Sequence, residues 1–289
     1  MALAAAEFEY LKQFVRQHAA IVLEGGKESL AELRLSPLAR QEGMASAQQL
    51  LERLRHESFG GLHLRVLDAM TNNETWFFRD LVPFEALQDL VIPALAAARA
   101  SSRKLNIWSA ACSTGQEAYS IAMSLRGHFP QLQDWSISIL ATDLSLAALQ
   151  RAERGLYTQL EVNRGLPIRY LAKHFLPQGI DWQLEHEICR MVEFRQMNLA
   201  EPWPPLPLFD LILFRNVLIY FDSAKRREIF RRLRRALHPE GYLFLGGPES
   251  TCPPEAGFER KTWATAVYYR LAGAVASGSS PEGKQNEPL

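Results

Sequence analysis

The sequence has few of the residues that form disulfide frameworks and structural zinc sites. It contains only three cysteines in 289 residues, at positions 112, 189 and 252. They form no Cys-x-x-Cys pair and no Cys/His metal-ligand spacing, which such sites require. We therefore expect neither a disulfide scaffold nor a metal, and a reducing cytoplasm fits best.

Net charge and long apolar runs are also absent. Lysine plus arginine and aspartate plus glutamate each number 32, so the formal net charge is zero and no whole-molecule field attracts nucleic acid or an anionic membrane. The longest apolar stretches, such as 91–98, are far shorter than the ~20 residues that a membrane span needs. The N-terminus lacks a cationic region followed by a cleavage site. We expect neither membrane insertion nor export.

The composition is otherwise that of a globular protein, with 47% apolar and 22% charged residues. The length suggests two domains. Apolar positions repeat at helical spacing over 7–23, and Ser46 precedes an amphipathic run. Ser36-Pro37 has the pattern of a cap followed by a first-turn proline, which predicts two short helical pieces within 27–41. The first ~70 residues thus predict a small helical domain.

From Lys104 onward, apolar runs typical of strands alternate with helical patterns. This alternation predicts an α/β domain with a doubly wound, mostly parallel sheet. The segment 157–200 breaks the rhythm, and its alternating stretch MVEFRQM (191–197) is interpreted as part of an inserted antiparallel unit. After Leu271 the chain is rich in glycine, serine and proline, which predicts a disordered tail or linker over 272–289.

The loop WSAACSTGQEAYS (108–120) follows the first strand of this domain, where a doubly wound sheet binds its ligand. Its small residues allow close approach to the backbone, although a tight strand-to-helix turn is an alternative. It lacks the spacings GxGxxG and GxxxxGK[ST], which argues against dinucleotides and ATP.

Asp143 ends the second strand, where a carboxylate accepts hydrogen bonds from ribose hydroxyls; the alternative is a helix cap. A ribose-bearing ligand without phosphate points to S-adenosylmethionine.

Five motifs follow one another along the chain: NETWFFR (73–79), WSAACSTGQEAYS (108–120), ATDLSLAALQRAERGLY (141–157), FDLILFRNVLIYFD (209–222) and LFLGGPES (243–250). In their order and spacing they resemble the motifs of the chemotaxis receptor glutamate methyltransferases, the CheR family. The resemblance spans about residues 8–270. It implies methyl transfer from S-adenosylmethionine to glutamates on the cytoplasmic helices of chemoreceptors.

The resemblance also implies domain boundaries. It predicts an N-terminal helical receptor-docking domain at 1–72 and a methyltransferase domain at 73–271, with a β-subdomain at about 157–197. We expect a monomer whose partner is the chemoreceptor cytoplasmic domain.

The family's cofactor contacts fall on matching residues of this sequence. They are Asn73, Thr75, Arg79, Glu117, Asp143, Asn198, Leu199, Asn216 and Val217. The chemistry needs no general base, because a glutamate of pKa ~4.3 is already an anion at pH 7.

Catalysis then depends on aligning the glutamate carboxylate with the methyl group of the cofactor. Arg79 has a planar guanidinium suited to a carboxylate, and Tyr220 can donate a further hydrogen bond. The alternatives are a domain-docking ion pair for Arg79 and a half-buried aromatic for Tyr220.

Two features of the sequence bear on other functions. The segment KRREIFRRLRR (225–235) is strongly basic, which invites a nucleic-acid or membrane interpretation, but its apolar positions suit a helix packed on the sheet. The adenine N6 methyltransferases place [DN]PP[YF] where this chain has RNVLIYF, so no nucleic-acid substrate is expected. An adaptor that binds S-adenosylmethionine or receptors without catalysis is the non-enzymatic alternative.

Receptor recognition differs among family members, some of which grip a receptor's C-terminal peptide with the β-subdomain. Here the matching stretch, 175–188, is shorter and has only Gly179 in its turn. The N-terminal domain carries a modest set of arginines, Arg34, Arg40, Arg53 and Arg55. We therefore expect tether-independent recognition of the methylation helices, steered by these arginines.

Overall fold

The computed structural model describes residues 3–249 and 252–273. Its N-terminal part consists of α1 (Ala5–Ala19), α2 (Glu28–Gln41), α3 (Ala47–His56) and α4 (Gly61–Met70). Their apolar faces share one core. The Ser46 side chain accepts a hydrogen bond from the Gln49 amide and so caps α3, as its position predicts.

The predicted break within 27–41 is wrong, because α2 runs unbroken through Pro37. The Ser36 hydroxyl donates to the Glu32 carbonyl, at 2.7 Å, instead of capping a new helix. Proline cannot donate to the carbonyl four residues earlier, but that residue, Leu33, is 71% exposed and water can reach it. Leu35 and Leu38, on either side of Pro37, are both buried, so packing holds the helix together.

The rest of the chain forms the predicted α/β arrangement. Its helices are α5 (Val82–Ala86), α6 (Ile92–Ala98), α7 (Gln116–His128), α8 (Leu146–Arg154), α9 (Gln159–Asn163), α10 (Ile168–His174), α11 (His186–Cys189) and α12 (Ser223–Ala236), with a π-helical turn at Leu87–Val91. Its strands are β1 (Lys104–Ala110), β2 (Ser136–Asp143), β3 (Leu156–Thr158), β4 (Phe175–Gln178), β5 (Asp181–Leu184), β6 (Val192–Gln196), β7 (Phe209–Phe214), β8 (Leu237–Leu245), β9 (Phe258–Trp263) and β10 (Ala266–Leu271).

Seven strands form the main sheet, in the order β6-β2-β1-β7-β8-β10-β9. The five from β6 to β8 are parallel, and the β9–β10 hairpin is antiparallel at one edge. Neighbouring residues of β1 face different cores, since Ile107 packs in one cluster and Trp108 in the other. The sheet is therefore covered on both faces, and the expected fold class is confirmed: an all-helical N-terminal domain followed by a doubly wound domain with a small antiparallel sheet.

The small sheet has the order β3-β5-β4 and is antiparallel. The alternating segment 191–197 does not belong to it, contrary to our interpretation and to the expected subdomain range of about 157–197. Instead β6 pairs in parallel with β2 at the edge of the main sheet. Alternation arises there because an edge strand has one face packed on helices and the other exposed.

The predicted tail, 272–289, lies outside the described residues except for Ala272 and Gly273. Within the described part of the chain, no helix is long and apolar enough to cross a membrane. The parallel strands all end at the same edge of the sheet, and the loops that follow them meet there beneath the N-terminal helices. This edge positions the site.

Candidate active site

A cavity of about 380 Å³ opens at the carboxyl ends of the parallel strands, within the usual range for small-molecule sites. All ten residues singled out from the sequence line it: Asn73, Thr75, Arg79, Glu117, Asp143, Asn198, Leu199, Asn216, Val217 and Tyr220. They come from five separate segments of the chain. The structure brings these residues together, while their individual contacts with a cofactor stay predictions.

Asp143 is fixed by the backbone of two loops. Its carboxylate accepts hydrogen bonds from the Ser113 amide at 2.8 Å and from the Ser145 amide at 2.9 Å. It is not a helix cap, because Ser145 is the N-cap of α8 and accepts from the Ala148 amide. Burial raises the pKa of Asp143 above its ordinary value. Each carboxylate oxygen has a second lone pair, so this side chain can still accept hydrogen bonds from a ligand such as a ribose.

The small-residue loop that faces Asp143 is a strained turn. Ala111 and Ser113 have φ of 57° and 52°, a region that residues other than glycine rarely enter. Gly115 has φ of 91°, and a Cβ there would lie 2.8 Å from that of Ala152. The loop is thus both the tight strand-to-helix turn and a cavity wall, since Ala111, Cys112 and Ser113 line the cavity.

Glu117, at the start of α7, is held between two strands. Its carboxylate accepts from the Ser109 hydroxyl at 2.8 Å and pairs with Arg215 at 2.9 Å. The Arg215 side chain is only 1% exposed and also bonds the Arg79 carbonyl and the Asp80 carboxylate, both at 2.9 Å. Arg215 therefore ties the NETWFFR segment to the sheet, a role that the sequence analysis missed.

A second buried carboxylate shapes the loop after β7. Glu249 accepts hydrogen bonds from the amides of Asn216 at 2.6 Å, Ile219 at 3.0 Å and Gly246 at 3.2 Å. Burial raises its pKa. Asn216 has φ of 59°, and the three bonds hold it in this left-handed conformation. Glu249 therefore sets the position of the segment that carries Asn216, Val217 and Tyr220.

The Arg79 guanidinium lines the cavity and forms no ion pair among the described residues. Its Nη1 donates to the Glu74 carbonyl at 2.9 Å, and its guanidinium lies 4.3 Å from the centre of the Trp76 ring. Within the described residues, its Nε has no hydrogen-bond partner and the guanidinium has no carboxylate at ion-pair distance. This disagrees with a domain-docking ion pair and leaves donors for a ligand.

The Tyr220 hydroxyl is oriented by the N-terminal helices. It accepts a hydrogen bond from Asn72 Nδ2 at 2.8 Å, while Arg34 donates to Asn72 Oδ1 at 3.4 Å and to the Met70 carbonyl at 3.0 Å. Because the hydroxyl oxygen accepts from Asn72, its own proton remains to be donated elsewhere. Tyr220 is therefore both a half-buried aromatic residue and a hydrogen-bond donor whose position Asn72 fixes.

The segment between α1 and α2 closes one side of the cavity. The Val22 amide donates to the Tyr220 carbonyl at 2.8 Å, and Asn198 Nδ2 donates to the His18 carbonyl at 2.6 Å. The Asn198 amide group is therefore engaged in joining the two domains, and its Oδ1 accepts from the Ala200 amide. Sequence patterns give no signal for these contacts.

The basic helix α12 agrees with packing on the sheet. Ile229, Phe230 and Leu233 are buried, and two of its arginines bind nearby backbone carbonyls: Arg226 that of Phe221 and Arg232 those of Leu199 and Glu201. Across residues 3–249 and 252–273, no group of three or more histidine, cysteine, aspartate or glutamate side chains is arranged to hold a metal ion.

Comparison with known proteins decides the family. Residues 73–263 match the family described as "CheR methyltransferase, SAM binding domain", and residues 6–71 match "CheR methyltransferase, all-alpha domain". The chain belongs to the CheR methyltransferase family. The resemblance inferred from the five motifs is confirmed, and the cavity lies in a methyltransferase domain that binds S-adenosylmethionine.

Curated relatives agree with this assignment. The chain is 41% identical to "Chemotaxis protein methyltransferase 1" of Pseudomonas aeruginosa, over 86% of this chain and 92% of that protein. It is 40% identical to "Chemotaxis protein methyltransferase Cher2" of Pseudomonas putida, over 84% and 90%. A Vibrio parahaemolyticus "Chemotaxis protein methyltransferase" is 36% identical, over 92% and 96%.

Proposed function

We propose that this CheR-family protein methylates glutamate side chains on the cytoplasmic helices of chemoreceptors, giving glutamyl methyl esters and S-adenosylhomocysteine. The observation that carries the proposal is the Arg79 guanidinium, which lines the cavity without a carboxylate of its own. The names of the relatives, chemotaxis protein methyltransferases, support the chemoreceptor as substrate.

The cofactor side of the cavity fits S-adenosylmethionine. Asp143 offers carboxylate lone pairs suited to ribose hydroxyls, and Glu117 lines the same cavity, held there by Ser109 and Arg215. The other expected cofactor contacts line the same cavity: Asn73, Thr75, Arg79, Asn198, Leu199, Asn216 and Val217. When bound, the cofactor supplies an activated methyl group on a sulfonium.

On the substrate side, the protein has to align the glutamate carboxylate with the methyl group of the cofactor. A glutamate side chain is an anion at pH 7, so it needs no base. Arg79 binds and orients the carboxylate, because a guanidinium offers several donors in a plane that matches a carboxylate. Tyr220, which also lines the cavity, donates one further hydrogen bond. The end of α1, the segment that follows it and α2 contribute further lining residues to the cavity.

We further propose that the receptor helices are recognised without a C-terminal tether. Only two residues, Gly179 and Ile180, separate β4 from β5, so the hairpin has no long loop with which to grip a peptide. Arg53 and Arg55 are paired with Glu57 and Glu7, whereas Arg40 is exposed and has no ion pair among the described residues. Arg40 is therefore the better candidate for steering acidic helices. The enzyme acts in the cytoplasm, as a monomer.

The test is a methylation assay with labelled cofactor on a panel of receptor cytoplasmic fragments, followed by mild alkali. The proposal predicts label on the receptor that alkali releases as methanol. Label that resists alkali, or that appears on nucleic acid, would contradict it, and an adaptor would transfer no label. Deleting a receptor's C-terminal tail should leave the rate unchanged, while Arg40→Glu should lower it most at low salt.

A further inference from the structure

A charged cluster surrounds Trp76 beside the cavity. The guanidinium groups of Arg79 and Arg164 lie over its ring, at 4.3 and 4.2 Å from the ring centre. Arg164, which follows α9, also pairs with the Glu74 carboxylate at 2.7 Å. Glu74 and Arg79 belong to the same short segment of the chain, so one carboxylate has two guanidinium groups near it but binds only one.

The close packing at Gly165 holds Arg164 in this place. Gly165 has φ of 84°, and a Cβ there would collide with the Phe77 carbonyl oxygen and lie 2.8 Å from Trp76 Cδ1. Only glycine allows the chain to approach so near with this backbone conformation. The inserted subdomain thus places Arg164 next to the segment that contains Arg79.

Glu74 is the carboxylate most able to neutralise Arg79. Arg79 already donates to the Glu74 backbone carbonyl. The pKa of Glu74 is held below its ordinary value mainly by its hydrogen bond to Arg164, and the charge of Arg79 adds to this. If Arg164 were absent, Arg79 would be the remaining cation for this carboxylate, and a guanidinium in an ion pair is less available to a substrate carboxylate.

We propose that Arg164 is a positioning residue that engages Glu74 and thereby keeps Arg79 free to bind the substrate carboxylate. Trp76 helps by attracting the Arg79 guanidinium to the face of its ring. This inference rests on the proposed function, because it assumes that Arg79 receives a carboxylate. The device acts through charge, so removing Glu74 should make Arg164 dispensable.

The experiment compares the wild-type enzyme with Arg164→Ala, Glu74→Gln and the double variant, in the receptor-fragment assay at low salt. Arg164→Ala should lower kcat/KM about fivefold, the upper limit for re-pairing of half-exposed charges. Glu74→Gln alone should stay within about twofold of wild type. The double variant should recover to the level of Glu74→Gln, since the Glu74 carboxylate that would capture Arg79 is gone.

The matched control is Arg169→Ala, which removes an exposed arginine of the same subdomain that stacks on Tyr170. It should keep the wild-type rate. If Arg164→Ala has no effect, or if Glu74→Gln fails to restore its rate, Arg164 does not act through Glu74 and the proposal is wrong.

A measurement without substrate separates this proposal from the proposed function. The Arg79 Nε–H NMR resonance, assigned by its loss in Arg79→Lys, should shift in Arg164→Ala and return in the double variant. An unmoved resonance overturns the proposal even if receptors are methylated. A wild-type enzyme that methylates no receptor overturns the proposed function, whatever the resonance does.

Discussion

The two sides of the cavity are built differently. On one side the Asp143 carboxylate is buried and accepts hydrogen bonds from two backbone amides. On the other, Arg79 is half-buried, hydrogen bonds one carbonyl through Nη1 and has a buried Nε with no partner among the described residues. The Asp143 carboxylate is held by backbone amides before any ligand arrives, whereas the Arg79 guanidinium keeps donors that have no acceptor among the described residues.

This contrast indicates that the two sides of the cavity serve different steps, cofactor binding and methyl transfer. Backbone groups fixed by strands give a rigid binding floor, because their positions are set by the fold itself. Side chains with spare donors suit a group that arrives only for the reaction. We therefore expect changes on the Asp143 side to alter cofactor affinity, and changes on the Arg79 side to alter turnover.

The largest effect is expected for Arg79→Ala. Loss of the guanidinium should lower kcat about 10²–10³-fold, the range found when a donor to the reacting group is removed. Stability should fall by only about 1 kcal/mol, because Arg79 contributes one backbone hydrogen bond and one contact with Trp76. Assays at saturating cofactor and thermal unfolding test the two parts. A variant that keeps its activity would remove Arg79 from the reaction.

Asp143→Ala should act on the other side of the comparison. Losing a charge-assisted contact of about 1.5–3 kcal/mol should weaken cofactor binding roughly 10–150-fold in calorimetry. Asp143→Asn keeps one acceptor oxygen but turns its NH2 group toward the Ser113 or the Ser145 amide, so it should lose affinity as well. Turnover at saturating cofactor should change much less than affinity. Unchanged binding in Asp143→Ala would mean that the cofactor lies elsewhere.

Tyr220→Phe sharpens the comparison with a smaller change. Removing the hydroxyl should lower kcat about 2–10-fold, as expected for one hydrogen bond, and should leave cofactor affinity within about twofold. Asn72→Ala tests the orientation of that hydroxyl, since it removes the amide that donates to it. Its effect should have the same direction and be smaller. A large loss of cofactor affinity in Tyr220→Phe would contradict the assignment of Tyr220 to turnover and not to cofactor binding.

The smallest effect concerns pH and Glu249. Burial raises the pKa of Glu249 above the ordinary 4.5, so between these two values the folded state holds more proton than the unfolded chain. The contribution of Glu249 to stability is therefore fully present below its ordinary pKa and declines as pH rises through its folded pKa, by less than about 1.4 kcal/mol per pH unit. Because the raised pKa of Asp143 gives a slope of the same sign, urea unfolding at several pH values should show a steeper decline in wild type than in Glu249→Gln. Identical pH dependence in both would refute it.

The sequence predicted the site better than it predicted the contacts within the site. Residues that follow parallel strands meet at one edge of the sheet, whereas Asn73, Thr75 and Arg79 lie between α4 and α5 and were identified only through the family resemblance. Arg215 was missed although Asn216 beside it was chosen, because its partners Glu117 and Asp80 are 98 and 135 residues away in the chain. No local pattern distinguishes a buried arginine from an exposed one.

The errors in the fold have a similar origin. Local patterns at Ser36-Pro37 and at 191–197 favoured a helix break and an antiparallel strand. Tertiary packing decided otherwise, through the buried Leu35 and Leu38 in one case and through pairing with β2 in the other. The roles of Asn72 and of the segment after α1 also depend on how two domains meet, which composition and periodicity do not report.

The central claim is that the Arg79 side of the cavity receives a carboxylate. The most direct measurement is mass spectrometry of a receptor cytoplasmic fragment after reaction with wild-type enzyme and with Arg79→Ala. The account predicts one added methyl group on glutamate side chains with the wild type and almost none with the variant. Methyl groups on lysine or other nitrogen-bearing side chains, or equal modification by both proteins, would contradict it.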